Sequence, residues 1–528
     1  MIEALRTGSR DGEPFDVVVI GGGITGAGVA LDAASRGLRT VLVERDDFAS
    51  GTSSKSSKMV HGGLRYLQNG DIRLVYEALR ERRRLMRNAP HLVAVLPFLI
   101  PILTRDGVVS RKVARALGSA MWMYDITGGW RIGRLHKRLS GERAAEYFPT
   151  TDPERLSAGY LYFDAAADDA RLTLTIVRTA AEHGAVVVNR CAVTDIEHDA
   201  EGRANGVRLE ADGERFDVAA RVIVNAAGVW ADEVRALDEH DHPASIRPAK
   251  GTHIAVPWEK IRNPIAVIIP VRSDRRSLSL TPWGPRGDGT FRHTYIGTTD
   301  TDYEGPLDEP RCDGDDIDYM LDALNEALVE PIDRSDITGV WAGLRPLVAT
   351  PPGEQATDKT ADLSRRHVVA VSGSGVVRVN GGKLTTYRQM AEDTVDRVLE
   401  EIGRSRVRTG RPTRRLRLLG AERLPKAPDG SVDAHLIGRY GSLAPEVRAL
   451  IALDPRLEAP LVPGQPYLRA EAVYAVRHEM ATSLDDVLLR RTRAHLFDRA
   501  ATAAAASGVA DLMAAELGWD PTERQRQL

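Results

Sequence analysis

The tightest constraint on this chain is the run DVVVIGGGITGAG at residues 16–28. Phe15 to Ile20 is rich in valine and isoleucine and reads as a buried parallel strand. Gly21, Gly23 and Gly26 follow in G-x-G-x-x-G spacing. A helical pattern then runs to Arg36 and stops at Gly37, and Thr40 to Val43 makes a second apolar strand ending on Glu44. Each glycine has a separate task. Gly21 allows the tight turn, Gly23 lets backbone approach a pyrophosphate, and Gly26 lets the helix pack on the strand. The helix start offers free N–H groups and a positive dipole end to phosphate. Glu44 lies about 20 residues past the glycines, where an acid accepts from ribose hydroxyls. A dinucleotide site is the expectation.

With 528 residues the chain has room for several domains and a large core. Its net charge of −3 argues against nucleic acid as the main partner, because phosphate-backbone binding normally leaves a basic excess. Cys191 and Cys312 stand far apart, which suits a reducing cytoplasm. No H-E-x-x-H or Cys/His cluster implies a metal, and neither a G-x-S-x-G elbow nor a P-loop is present. The first residues carry no hydrophobic signal core, and the apolar run Leu92–Leu103 is too short to span a bilayer.

The fold class expected is α/β, α+β overall. The nucleotide-binding domain is assigned in three parts (1–90, 156–235 and 341–403), with a cap region at 91–155. An antiparallel substrate sheet is placed at 236–340, a basic linker at 404–431 and a C-terminal helical domain at 432–528. The substrate sheet rests on the alternation in GTHIAVP, RSLSLTPW and FRHTYIGTT. Asp71 reads as the N-cap of a helix ending near Pro90, and a turn is expected near Asn205-Gly206. Arg73, Arg80, Arg82, Arg83, Arg84 and Arg87 load the outer faces of that helix, and Arg111 to Tyr124 is a second basic, apolar stretch. The two stretches read either as solvated faces or as a surface lying on anionic lipid, with Trp122 at the interface.

Three glycine clusters, GGGITG, NAAG and NGGKLTT, recur far apart. A long cofactor crossing between domains explains such returns, which favours FAD. The hydroxyl-rich loop at 52–57 lies close behind Glu44 and suits the pyrophosphate and flavin.

The run TSSKSSKMVHGGLRYL, with NAAGVWAD, GTHIAVP, YIGTTDTDY, WAGLRPL, GGKLTTYR and RHEMATSLDDVLLRRTR, resembles the FAD-dependent, quinone-linked glycerol-3-phosphate dehydrogenases of the D-amino-acid-oxidase-like superfamily. The resemblance covers nearly the whole chain. It implies a Rossmann-like FAD-binding domain and oxidation of sn-glycerol 3-phosphate to dihydroxyacetone phosphate. It also implies electron transfer to a membrane quinone, with oxygen as the alternative acceptor. A cytoplasmic enzyme peripherally associated with an anionic membrane surface follows, and a homodimer is suggested. The expected cofactor contacts are Gly21, Gly23, Gly26, Glu44, Thr52, Ser53, Ser57, Gly62, Gly63, Leu64, Val193, Gly228, Gly382, Leu384 and Thr385. By the same resemblance Arg65, Tyr66, Arg365 and Lys383 bind substrate phosphate, with Arg345 also a phosphate candidate, since arginine forks match phosphate oxygens. His253 and Arg345 are the catalytic candidates: the histidine takes a proton, or the arginine stabilises a developing alkoxide. Two positions depart from the family's pattern. Arg366 follows Arg365 where an acid is usual, so either arginine is the phosphate candidate, and Asn380 replaces a threonine.

Overall fold

A computed structural model describes residues 13–64, 71–103, 111–239, 243–271, 276–349, 366–403 and 410–528, with Ile2, Glu3, Leu5 and Arg6 ahead of them; side chains at 111–116 lie outside that set. The fingerprint folds as its pattern predicts. Strand β1 (Phe15–Ile20) leads into helix α1 (Ile24–Ser35), which ends at Gly37 with φ +91°, and β2 (Thr40–Val43) follows. Beside β1 and parallel to it lie β2 and the strand Glu214–Asn225, which in turn pairs with Val377–Gly381. These strands belong to an eight-stranded sheet. Apolar burial on both faces explains why they read as continuous hydrophobic runs. Val17, Val19, Leu42 and Val224 face one core, and Val18, Val41 and Ile223 face another.

The second sheet has ten strands and is almost wholly antiparallel. Near one edge of it, Ile246–Pro257 pairs with Phe291–Gly297 on one side and Gly339–Val348 on the other. Sheet membership and the expected segments differ at two strands. Leu156–Ala166, placed in the nucleotide-binding part, pairs with Ala94–Leu103 and belongs to the second sheet. So does the strand through Trp341–Val348, which was placed in the third nucleotide-binding part. Leu156–Ala166 is buried along most of its length, and a strand covered on both faces loses the alternation that marks sheet membership.

The helix Ile72–Asn88 starts at Asp71, whose side chain accepts from the Leu74 N–H. Arg82, read as part of an outward face, is buried and pairs with Asp164, which also accepts from the Tyr124 hydroxyl at 2.8 Å. The turn expected at Asn205-Gly206 is displaced as well. Both residues lie inside the strand Ala204–Ala211, and the chain reverses at Asp199–Arg203, where Gly202 has φ +78°. Beyond Ser431 the chain is helical, from Val432–Tyr440 to Pro521–Gln527. Among the described residues no helix is long and apolar enough to cross a membrane.

Candidate active site

A cavity of about 1170 Å³ runs between the two sheets. Gly21, Gly23, Glu44 and Val193 line it, and so do His253, Arg345 and Lys383. The turn at its floor is built for close approach. A Cβ on Gly21 would stand 2.8 Å from the Ala226 carbonyl oxygen, and one on Gly26 only 1.9 Å from the Gly21 oxygen. Gly26 thus packs helix on strand behind the cavity, while Gly21 and Gly23 face into it. Ser53 lines the cavity and its Oγ accepts from the Ile24 N–H at 2.9 Å, capping a helix start that has no side-chain cap of its own. Glu44 accepts from the Gly22 N–H at 2.7 Å and the Asp46 N–H at 2.9 Å. Burial raises its carboxyl pKa against the pull of those bonds, and each carboxylate oxygen keeps lone-pair capacity for a ribose hydroxyl.

The other expected cofactor contacts divide. Thr52, Ser57, Gly63, Leu64, Gly228, Gly382, Leu384 and Thr385 line the same cavity. The Thr52 hydroxyl donates to the Leu344 carbonyl at 2.6 Å, tying this loop to the second sheet. Thr385 Oγ1 accepts from the His61 N–H at 3.1 Å. Gly62 does not line the cavity: its N–H turns to Tyr124 and Asp164, at 3.1 and 3.2 Å. The buried Arg82–Asp164 pair therefore acts as a footing for the glycine loop. Arg65, Tyr66 and Arg365 lie outside the described residues. Arg366 donates to Asp71 at 2.8 Å, and that guanidinium holds the Asp71 carboxyl below the usual range.

Strand register brings the candidate catalytic side chains to the cavity. His253 stands opposite Gly297 and Trp341 on its two neighbours, and Ala249 opposite Arg345. Gly297 makes the room, since a Cβ there would meet the His253 ring at 2.2 Å. Trp341 stacks on that ring with centroids 4.8 Å apart and planes 8° apart. His253 Nε2 meets the Ser57 hydroxyl at 2.9 Å. Burial, then the charges of Lys58 and Arg345, push the imidazole well below its ordinary pKa, with Asp169 opposing them. The ring is neutral at neutral pH and able to accept a proton. Arg345 is spread over Asp300 (3.0 Å), Thr298 Oγ1 (3.2 Å) and the Thr299 carbonyl (3.1 Å), which fixes its fork beside the cavity. Lys58 was not singled out in the sequence. It is fully buried, pairs with Asp169 at 3.1 Å, lies 5.0 Å above the Trp341 ring, and burial lowers its pKa to about 8. Its only signal in the sequence is its place directly after the hydroxyl-rich loop.

The glycine cradle, the positive end of helix α1, Glu44 and the size of the cavity fit FAD. Comparison with known proteins agrees. Residues 16–388 match the FAD dependent oxidoreductase family, and residues 411–524 match the C-terminal domain of alpha-glycerophosphate oxidase. The chain is 42% identical to the glycerol-3-phosphate dehydrogenase of Mycobacterium leprae, over 98% of this chain and 87% of that protein. Glycerol-3-phosphate dehydrogenase 2 of Mycobacterium tuberculosis is 41% identical with the same coverage. The crystal structure of the glycerol-3-phosphate dehydrogenase from Bacillus halodurans complexed with FAD superposes with a TM-score of 0.76 at 30% identity, covering 98% of this chain and 94% of that one. A protein matched in fold, cofactor cradle and sequence over its whole length leaves one assignment: this chain is an FAD-dependent oxidoreductase and belongs to the glycerol-3-phosphate dehydrogenase family.

Proposed function

We propose that the protein oxidises sn-glycerol 3-phosphate to dihydroxyacetone phosphate and passes the electrons to a membrane quinone, as an entry of glycerol catabolism into respiration. One observation carries the reading: a single cavity joins the dinucleotide cradle to His253, Arg345 and Lys383. The names of the relatives point to the same substrate. Bound FAD supplies the acceptor for the hydride leaving C2 and relays two electrons onward. His253 takes the proton of the C2 hydroxyl as that hydride leaves, so the carbon is oxidised by two electrons and becomes a carbonyl. Arg345 stabilises charge developing on the C2 oxygen. Lys383, with Arg65, Tyr66 and Arg365, holds the phosphate dianion.

The quinone and membrane reading is supported by an apolar part of the cavity lining. Phe98, Ile100 and Ile102 line the cavity there, and Leu117 of the helix Arg111–Thr127 joins them. Leu117, Met121 and Tyr124 turn that helix inward, leaving Trp122, Met123 and Ile126 exposed, with Trp130 and Leu135 beyond its end. Arg131 lies over the rings of Tyr76 and Trp130. Aromatic rings interleaved with arginine suit a peripheral contact with anionic lipid at the inner face of the cell membrane.

The test is anaerobic bleaching of the flavin by glycerol 3-phosphate and by glycerol, followed by reoxidation with a quinone analogue or with oxygen. Bleaching by the phosphate ester and fast reoxidation by the quinone are expected. Equal bleaching by glycerol removes the phosphate site, and faster reoxidation by oxygen makes the protein an oxidase. Failure to bind anionic vesicles at low salt removes the membrane surface.

A further inference from the structure

The loop that sets Ser57 against His253 is held from the far end of the chain. Asp169, fully buried, begins the helix Asp169–Glu182. Its Oδ2 accepts from the Ser56 N–H at 2.9 Å and the Ser56 hydroxyl at 2.7 Å. Its Oδ1 accepts from Lys58 Nζ at 3.1 Å and from Arg493 Nη2 at 3.0 Å. Arg493, also buried, donates further to the Ser54 carbonyl and, at 2.7 Å, to that of Leu489. Asp169 and Arg493 thus close a bracket around residues 54–58. Inside the bracket Ser57 reaches His253 Nε2, and Lys58 lies over Trp341, which stacks on the His253 ring.

The chain bends specially to bring Arg493 here. It follows a π-helical turn, Asp486–Arg491, and has φ +68°, a conformation that side chains other than glycine seldom adopt. Backbone held in that way marks a place where the surroundings over-determine a geometry. Anchoring of the C-terminal helices does not account for it. Arg491 already binds Asp47, and Arg171 binds Glu479, so the C-terminal helices have other charged anchors.

We propose that Arg493 is a positioning residue for the oxidation: from the C-terminal domain it holds the 54–58 loop through Asp169 and so orients the His253 ring. The inference rests on His253 being the proton acceptor. The groups around that ring are Ser57, Lys58, Asp169, Arg345, Tyr295 and Trp341. Removing Arg493 leaves Lys58 as the remaining cation of Asp169 in the bracket, and the Ser54 carbonyl loses its tie to the C-terminal domain while keeping a 3.5 Å contact from Lys58 Nζ of the same loop.

A double-mutant cycle separates this from a structural role, because residues acting through one another are not additive. The measured quantity is the limiting rate of anaerobic flavin reduction by glycerol 3-phosphate in the holoenzyme. Arg493→Gln is expected to slow it about tenfold while half-saturation by substrate changes less than about twofold. In a His253→Ala background the same change is expected to cost less than about twofold, and Arg493→Lys to recover most of the rate. Hydrogen exchange in the FAD-free protein gives a second readout: the Ser56 and Lys58 amides, which donate to Asp169 and to Ser56 Oγ, exchange faster in Arg493→Gln. If that variant yields no folded holoenzyme, Ser56→Ala, which breaks the bracket without stranding a charge, goes through the same cycle with the same expected results. Additive losses, a full-speed variant or unchanged exchange overturns the proposal. A wild-type rate in His253→Ala overturns the His253 reading itself and the proposal with it. Slow His253→Ala beside full-speed Arg493→Gln overturns the proposal alone.

Discussion

The two sheets face one cavity and offer it different resources. The parallel sheet presents mainly backbone: the turn at Gly21–Gly23, the start of helix α1 and the Gly228 loop. The antiparallel sheet presents side chains, His253 and Arg345, raised from strands whose register puts Gly251 opposite Gly343 and Gly297 opposite His253. A backbone site tolerates little added volume, whereas a side-chain site tolerates truncation structurally and loses chemistry. Substitutions on the first sheet are therefore expected to remove the cofactor, and those on the second to spare it.

The largest effect tests the first half of that contrast. Gly26→Ala would set a Cβ 1.9 Å from the Gly21 carbonyl, an overpacking expected to cost about 3 kcal/mol. The purified variant should lack flavin absorbance and melt at lower temperature; a yellow protein of normal stability would contradict the packing role. Next, Arg345→Ala is expected to keep its flavin but lower kcat/KM about 100-fold, in line with losing charge-assisted hydrogen bonds. Loss of flavin from this variant would erase the distinction between the sheets.

Acid provides a further break. His293, on the second sheet, is pushed down to about 4 by burial, with Arg292 and Arg286 adding to the shift and Asp498 and Glu259 opposing it. Its folded value lies below its unfolded value, so the neutral ring stabilises the fold above about pH 6.5 and that stability is lost as pH falls toward 4. At pH 5 the loss amounts to about 2 kcal/mol. Denaturant midpoints at pH 8 and pH 5 measure it, and an unchanged pH slope in His293→Gln would remove the assignment. His253→Ala is expected to slow flavin reduction at least about tenfold with FAD retained. In the native enzyme that rate should stay level as pH drops to about 6, because the working ring sits well below ordinary histidine; a fall centred near pH 6.5 would point to another base. The smallest effect belongs outside both sheets. Trp122→Ala should change stability by less than about 0.5 kcal/mol yet weaken binding to anionic vesicles, read by co-sedimentation.

Much of this arrangement was legible. The β1–α1–β2 unit, the Asp71 cap and the strands through His253 and Tyr295 follow rules that act within about ten residues. Misreadings cluster where neighbours in space are remote in sequence. Arg82 was taken for surface because its own helix offers no partner for it; Asp164 does. Leu156–Ala166 shows no strand signal in the sequence because burial along most of its length erases the alternation. Gly206 resembled a turn glycine, yet it sits in a ladder opposite Ala219, where a Cβ would stand 3.0 Å from the Val218 carbonyl.

The amino-acid order alone determined the dinucleotide cradle, since helix and strand periods and the glycine spacing are local properties of the backbone. The tertiary structure decided which charges go inside. A buried arginine or lysine is tolerable only beside its carboxylate, and Arg493 and Asp169 are 324 residues apart in sequence. No local pattern announces such a pair. Only closure of the fold brings it to the loop that faces His253.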